Sequence, residues 1–198
     1  MNAEPFPHEV IDWWFDAELL EAVADEIPSP DVPGWRQYGN DNEVKYEGPP
    51  EMWGLRTFEY FDVLEKRTGQ LGAMFGIDGL SIEFVGGGYH LIPPGGRLAM
   101  HSDFNHSPDT GDCRRLNVLT YLNPGWDDPG GWLRLGADGN ITLAPEMGRT
   151  VIFATSATSW HGHPEPTRTR WRKSIAAYFF TEEHAPDCDR SQRSTVWL

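Results

Sequence analysis

Three short stretches in the second half of the chain carry its most reactive side chains: His101-Ser102-Asp103, then His161, then Arg172-Lys173-Ser174. Two imidazoles and one carboxylate are the donors of a facial Fe(II) site, which leaves coordination positions open for substrates. An arginine shortly beyond the last histidine suits a dicarboxylate co-substrate, because its planar fork pairs with a carboxylate through two hydrogen bonds. If the three stretches converge, the chain has the equipment of an oxygenase.

Convergence requires particular backbone elements. His101 and Asp103 are two residues apart, so on an extended segment both side chains point to the same side. Arg97-Leu98-Ala99-Met100 supplies a strand leading into them. His161 follows the apolar run Thr150 to Ala154, but His163 shares its parity, so parity leaves both open as ligands. His106, three residues beyond Asp103, is a third candidate, and His8, His90 and His184 complete the set. On the last apolar strand, Arg172 to Thr181, alternation puts Arg172, Ser174, Ala176 and Tyr178 on one face and Ile175, Ala177 and Phe179 on the other. A charge on an inward face needs a partner, and a co-substrate carboxylate would be one. Arg170 has the same parity and is a rival.

The rest of the chain sets the frame. Its 198 residues suit one domain with a core of its own. The formal charge of −14 disfavours phosphate backbones, so no nucleic-acid partner is expected. Arg168, Arg170, Arg172 and Lys173 form the densest basic cluster, a local field for an anionic co-substrate. No apolar run is long enough for a membrane span, and Met1 to Trp14 lacks the basic-then-apolar pattern of a secretory leader. Cys113 and Cys188 have no metal-binding spacing, and whether they pair is open. These features predict a cytoplasmic protein.

Periodicity divides the chain at about residue 80. Asp16 caps a helix in which Leu19, Leu20, Val23 and Ile27 recur at helical spacing until Pro28. The Pro-rich stretch 28–50 reads as loop, and 51–75 reads as one or two helices. From Ser81 the pattern becomes β-type, with candidate strands at 81–85, 89–92, 97–100, 115–122, 132–135, 141–143, 150–154, 159–163 and 172–181. Many short strands between Gly/Pro turns predict a sandwich or barrel, and a jelly roll does this with two facing sheets and an open mouth. The expectation is a mainly β protein with N-terminal helices (α+β) in a single domain, 1–198. In it 1–80 is helical support, 81–181 a cupin-like jelly-roll core, and 182–198 a C-terminal tail.

Taken together, the blocks resemble the 2-oxoglutarate- and Fe(II)-dependent oxygenases, in particular the prolyl-4-hydroxylase-like branch. The likeness rests on Gly86-Gly87-Gly88-Tyr89-His90, Pro94-Gly95-Gly96, His101-Ser102-Asp103-Phe104-Asn105 and the run Arg115 to Asn123. It continues through Gly130-Gly131, Val151-Ile152-Phe153, Trp160 to Pro164 and Arg172-Lys173-Ser174. Pro7 to Asp12 also matches, so the likeness spans about residues 6 to 183. The resemblance implies a double-stranded β-helix with His101, Asp103 and His161 on Fe(II). It implies Arg172, with Tyr121, Ser174 and a second tyrosine, Tyr89, at the 2-oxoglutarate. It also implies O₂ as the second co-substrate, release of succinate and CO₂, and hydroxylation of an unactivated C–H bond. Related halogenases carry Gly or Ala at the position of Asp103, so the aspartate points to hydroxylation.

The substrate is expected to be a small molecule or a peptide or protein, possibilities that the resemblance leaves side by side; oligomeric state is not legible. The insert 105–112 would border the site mouth, and Trp35, Tyr38, Trp53, Trp126 and Trp132 could line a groove. Relatives often carry an acidic residue after the Gly-Gly pair, where this chain has Trp132 and then Arg134. Two other readings compete: a cupin-like metal enzyme that does not use 2-oxoglutarate, and a binding module that has lost catalysis. The intact ligand set and Arg172-x-Ser174 speak against both.

Overall fold

The structure is a computed structural model that describes residues 1–107, 110–185 and 188–198. Pro108 and Asp109, within the insert expected at the site mouth, lie outside the described residues. Strand β1 (His8–Asp12) precedes helix α1 (Ala17–Glu26), which starts on Asp16 with its carboxylate accepting the Leu19 N–H at 3.1 Å. Helices α2 (Leu55–Glu65) and α3 (Thr68–Phe75) follow. The N-terminus of α2 is capped from α1: the Glu26 carboxylate accepts the N–H groups of Arg56 at 2.8 Å and Thr57 at 2.9 Å. A side chain at Gly54 would displace that carboxylate from the cap.

The 28–50 stretch is not only loop. It holds a hairpin of β2 (Arg36–Gly39) and β3 (Val44–Gly48), so with β1 the first 80 residues add three strands to the β structure. Arg36, Lys45 and Glu47 put charges on these short strands, so no apolar alternation advertised them. The other strands are β4 (Ser81–Ile92), β5 (Leu98–Ser102), β6 (Cys113–Tyr121) and β7 (Leu133–Leu135). After them come β8 (Ile141–Leu143), β9 (Arg149–Ala154), β10 (His161–His163), β11 (Arg172–Thr181) and β12 (Val196–Trp197).

They form two antiparallel sheets, β1-β9-β6-β11-β4-β3-β2 and β12-β5-β10-β7-β8. From β4 to β11 the chain passes repeatedly between the sheets, which makes the core a double-stranded β-helix, the jelly roll expected from strand spacing. The helices cover the outer face of the larger sheet, burying Leu20, Tyr60, Leu64 and Leu71 against Leu116, Val118, Ile175 and Phe179. Each such side chain contributes roughly 1.5–3 kcal/mol on leaving water. A second cluster, with Phe6, Leu133, Leu135, Val151 and Phe153, fills the space between the sheets at one end. The other end is left for the polar side chains described below.

The 182–198 segment does more than trail away. β12 pairs with β5, aligning Val196 with Ser102 and Trp197 with His101. The Gln192 amide donates to the Ser102 and Asp103 carbonyls at 2.9 and 3.0 Å. Cys113 and Cys188 are disulfide-bonded, which ties this segment to β6 across a separation of 75 residues. Closing so long a loop restricts the unfolded chain, and loss of such a bond costs roughly 2–4 kcal/mol. Cys188→Ser is therefore expected to lower the urea midpoint, and a reducing agent should do the same to the wild type but not to the variant. Coincident midpoints for oxidised wild type and variant would show that the bond contributes nothing.

Candidate metal and co-substrate site

His101 lies near the end of β5 and Asp103 just past it, while His161 opens β10 directly opposite, paired with His101 in register. One ligand atom from each of the three falls within 4.8 Å of the other two, and among the described residues this is the one such cluster. Asp103 Oδ1 is 3.6 Å from His101 Nε2, and its Oδ2 is 3.5 Å from His161 Nε2. All three are protected from solvent, the histidines at 5 % and 4 % exposure. Each ring is oriented from behind. His101 Nδ1 donates to the Ala99 carbonyl and His161 Nδ1 to the Ser159 carbonyl, both at 2.9 Å. A carbonyl can only accept, so Nδ1 carries the proton and the Nε2 lone pair faces Asp103, the tautomer that a metal requires.

The charges agree with that function. Burial opposes ionisation of Asp103, but Arg114 and then the two histidines outweigh it and hold the carboxyl well below its usual range. Arg114 Nη2 and Asn117 Nδ2 donate to Asp103 Oδ2 at 3.0 and 2.8 Å. Burial first, then His101, pushes His161 down to about 3, so its ring is neutral and able to ligate. The donor types, the fixed tautomers and the convergent lone pairs fit a divalent iron.

Two cavities meet at these side chains. The inner one, about 80 Å³, is bounded by His101, Asp103 and His161 at one end and Arg172 and Ser174 at the other. The outer one, about 240 Å³, is bordered by His101 and Asp103 with Tyr38, Phe104, Tyr178 and Trp197. Lys45 and Tyr178 border both.

Arg172 is buried, and its partners are uncharged. Nε donates to the Gly131 carbonyl at 2.9 Å, Nη2 to the Tyr121 hydroxyl at 3.3 Å, and the guanidinium sits 4.8 Å from the centre of the Tyr121 ring. Burial of so isolated a cation is costly, and a carboxylate ligand would neutralise it. Arg170 differs: it is paired with Asp127 at 2.9 Å and donates to the Gly125 and Pro124 carbonyls, away from the cavity. The Gly130-Gly131 pair now has a physical reason. A Cβ on Gly130 would sit 1.9 Å from the Pro166 carbonyl oxygen, and Gly131 adopts φ +71° where the chain leading to Arg172 crosses.

Tyr89 is not at this site. Its ring belongs to the core beneath the helices and its hydroxyl bonds to Thr57 Oγ1. Alternation along β4 makes its neighbour His90 the residue that faces the cavity, opposite Ser174. His106 is buried near Glu183, with Nε2 3.9 Å from Oε1, and takes no part in the cluster. Trp132 is exposed with its N–H on the Asp128 carbonyl, and Arg134 is clasped by Glu165 at 2.6 and 2.8 Å. Neither borders the two cavities. Of the tryptophans expected at a groove, Trp35 and Trp53 are core residues and Trp126 is buried against Gly130. Of the expected groove residues Tyr38 does line the outer cavity, and the rest of its aromatic wall comes from Phe104, Tyr178 and Trp197.

Sequence reasoning missed Arg114 and Asn117, which hold Asp103, and Asp128. A guanidinium and an amide inside the buried run Cys113 to Tyr121 were the available signal, because such groups need partners. Asp128, also buried, accepts the N–H groups of Gly130, Arg168, Thr169 and Arg170, which steers the backbone into Arg172. Burial raises its pKa, but the N–H groups of Thr169, Gly130, Arg168 and Arg170 prevail and bring it to about 2, from 3.8. A depressed carboxyl contributes stability that is complete above the unfolded value and lost as pH falls through the folded one. That contribution is about 2 kcal/mol. Asp128→Asn is thus expected to destabilise the fold at pH 7 by about this amount, and the gap to wild type should close as urea titrations move from pH 5 toward pH 2. A gap that is unchanged across that range would show that the carboxylate charge does not act here.

Known proteins agree with this geometry. Residues 87–180 match the 2OG-Fe(II) oxygenase superfamily. No curated protein is similar enough in sequence to match the chain. Among solved structures, a prolyl-4-hydroxylase of Pseudomonas putida is similar with TM-score 0.69 and 21 % identity, covering 88 % of this chain and 92 % of that one. A prolyl hydroxylase of Trichoplax adhaerens, solved with a hypoxia inducible factor peptide, gives TM-score 0.62 and 16 % identity over 87 % and 83 % of the two chains. A collagen prolyl hydroxylase of Paramecium Bursaria Chlorella virus-1 gives 0.61 and 17 % over 88 % and 96 %. At these identities the structures speak for the fold, and the family match speaks for the chemistry. Residues 87–180 are thus a 2OG-Fe(II) oxygenase domain by the family match, and the chain has the fold seen in prolyl-4-hydroxylases.

Proposed function

We propose that this oxygenase hydroxylates an aliphatic C–H bond of a peptidyl residue, with the whole of 1–198 acting as one catalytic domain. In this reading His101, Asp103 and His161 hold Fe(II), and Arg172 pairs with the distal carboxylate of 2-oxoglutarate beside Tyr121 and Ser174. The bound iron, 2-oxoglutarate and O₂ supply the oxidising chemistry, with succinate and CO₂ released. The protein supplies position. Arg172 anchors one end of the co-substrate, Asn117 and Arg114 orient Asp103, and the buried walls exclude water.

The observation that carries the reading is the shared wall: His101 and Asp103 stand between an inner cavity ending in a guanidinium that has no acidic partner among the described residues and a wider aromatic-lined one. The first matches a small dicarboxylate and the second an entering side chain. Tyr38, Phe104, Tyr178 and Trp197 offer flat apolar faces to such a side chain. Val85 continues that cavity into an apolar recess with Pro49, Pro50 and Phe84, room for flanking residues of a peptide. The peptide complex of the Trichoplax protein lends this support as an analogy of fold.

A cytoplasmic location belongs to the same proposal. Among the described residues no helix is long and apolar enough to cross a membrane. In a reducing compartment the Cys113–Cys188 bond would be open to reduction.

The test has two stages. Anaerobic Fe(II) and 2-oxoglutarate should give a visible charge-transfer band, whose absence from the wild type removes the metal and co-substrate assignments. With O₂ present, proline-containing and other peptides should stimulate succinate release; stimulation by free small molecules alone removes the peptidyl part.

A further inference from the structure

His163 is 1 % exposed, and neither of its ring nitrogens has a hydrogen-bond partner. Among the described residues only His106 shares this condition, and His106 borders neither cavity. His163 borders the inner one together with Arg172 and Ser174. An orphaned buried donor or acceptor costs roughly 1–3 kcal/mol, so such a group calls for a partner.

The position of the ring defines what the partner is. His161 and His163 point the same way from β10, so one stands at the metal end of the cavity and the other a step further along. An imidazole ring carries at least one N–H, and both ring nitrogens of His163 are without a partner. The N–H can bond only to an acceptor; of the cavity's two cations Lys45 is paired with Glu43 at 3.1 Å, which leaves Arg172 as the anion-seeking group. We infer that His163 donates a hydrogen bond to the same distal carboxylate of 2-oxoglutarate that Arg172 binds, making it a second determinant of co-substrate specificity. The inference rests on the assignment of the inner cavity to 2-oxoglutarate.

The test compares His163→Met, similar in bulk but without a donor, with His163→Gln, which keeps one. The Fe(II)-loaded proteins are titrated without O₂ with 2-oxoglutarate and with 2-oxobutyrate, which lacks the distal carboxylate. The Met variant should bind 2-oxoglutarate about tenfold more weakly, the loss of one hydrogen bond to a charged group. It should bind 2-oxobutyrate and Fe(II) as the wild type does, and the Gln variant should recover most of the loss. Equal weakening of both keto acids, or none, overturns the inference. If the Met variant does not fold, ¹⁵N-histidine spectra of the Zn(II)-loaded wild type and Gln variant decide it. A ring signal absent from the Gln variant should shift with 2-oxoglutarate and not with 2-oxobutyrate, and no such shift overturns the inference. Absence of any band in the wild type would instead strike the cavity assignment itself.

Discussion

Asp103→Ala is expected to abolish iron binding, and to do so more completely than His101→Ala. Either change removes one of three donors. The aspartate also supplies the negative charge, and its loss leaves the Arg114 guanidinium facing two imidazoles with nothing between. A divalent cation would then enter a site of net positive charge in a buried setting, where such repulsion is poorly screened. Outer hydrogen-bond partners of a ligand typically change metal affinity by about 10- to 100-fold. Arg114→Met is predicted to fall in that range, and Asp103→Ala well beyond it. Competition for Fe(II) against a chelator, read alongside circular dichroism, separates lost binding from lost folding. Asp103→Asn guards the result, because it keeps the volume and an acceptor for Arg114 and Asn117 yet removes the charge. Iron affinity within tenfold of wild type for Asp103→Ala would exclude the carboxylate as a ligand.

Arg172→Ala is expected to weaken 2-oxoglutarate by at least about 30-fold, since truncating one partner of a buried hydrogen-bonded charge pair costs roughly 2–5 kcal/mol. The basis is the isolation of the guanidinium: a carbonyl, a hydroxyl and a ring face surround it, and none cancels its charge. Arg170→Ala should change 2-oxoglutarate affinity by less than threefold, since an exposed ion pair such as that with Asp127 carries little. Iron affinity should be unaffected in both. Anaerobic titration of the charge-transfer band reads all of these, and a reversed order for the two arginines would move the co-substrate to a different part of the fold. Arg172→Lys is informative beside them. The charge survives but the fork does not, so affinity should lie between wild type and Ala.

Several features could be seen before any tertiary structure. The period-two pattern of the last strand placed Arg172, Ser174 and Tyr178 on one face, and the fold puts those residues at the cavities. Asp16 announced α1 because a cap needs only a short carboxylate at the right offset. The hairpin of β2 and β3 escaped notice because its charges pair along and across the strands, as in Arg36 with Glu47 at 2.9 Å, and such pairing leaves no apolar stripe. Tyr89 was placed at the co-substrate by resemblance alone; β4 pairs regularly with β11 there, Tyr89 opposite Ile175 and His90 opposite Ser174, so the pleat gives the cavity face to His90.

The amino-acid order by itself determined the kind of chemistry available, because a metal site of this type is defined by donor elements and by an i, i+2 spacing that any extended strand converts to a common side. It also determined that the core is a β sandwich, through short strands cut by glycine and proline. What side-chain parity left open, and the tertiary structure decided, is where each of two equivalent residues lies. His161 rather than His163 meets Asp103, and Arg172 rather than Arg170 ends up buried without an acid. These choices depend on contacts between segments far apart in the chain: β5 beside β10, Asp128 under the approach to Arg172, the tail with Trp197 laid along His101. Local periodicity reports which way a side chain points from its own strand. Which charge remains unpaired is a property of everything packed around it, and no single segment contains that information.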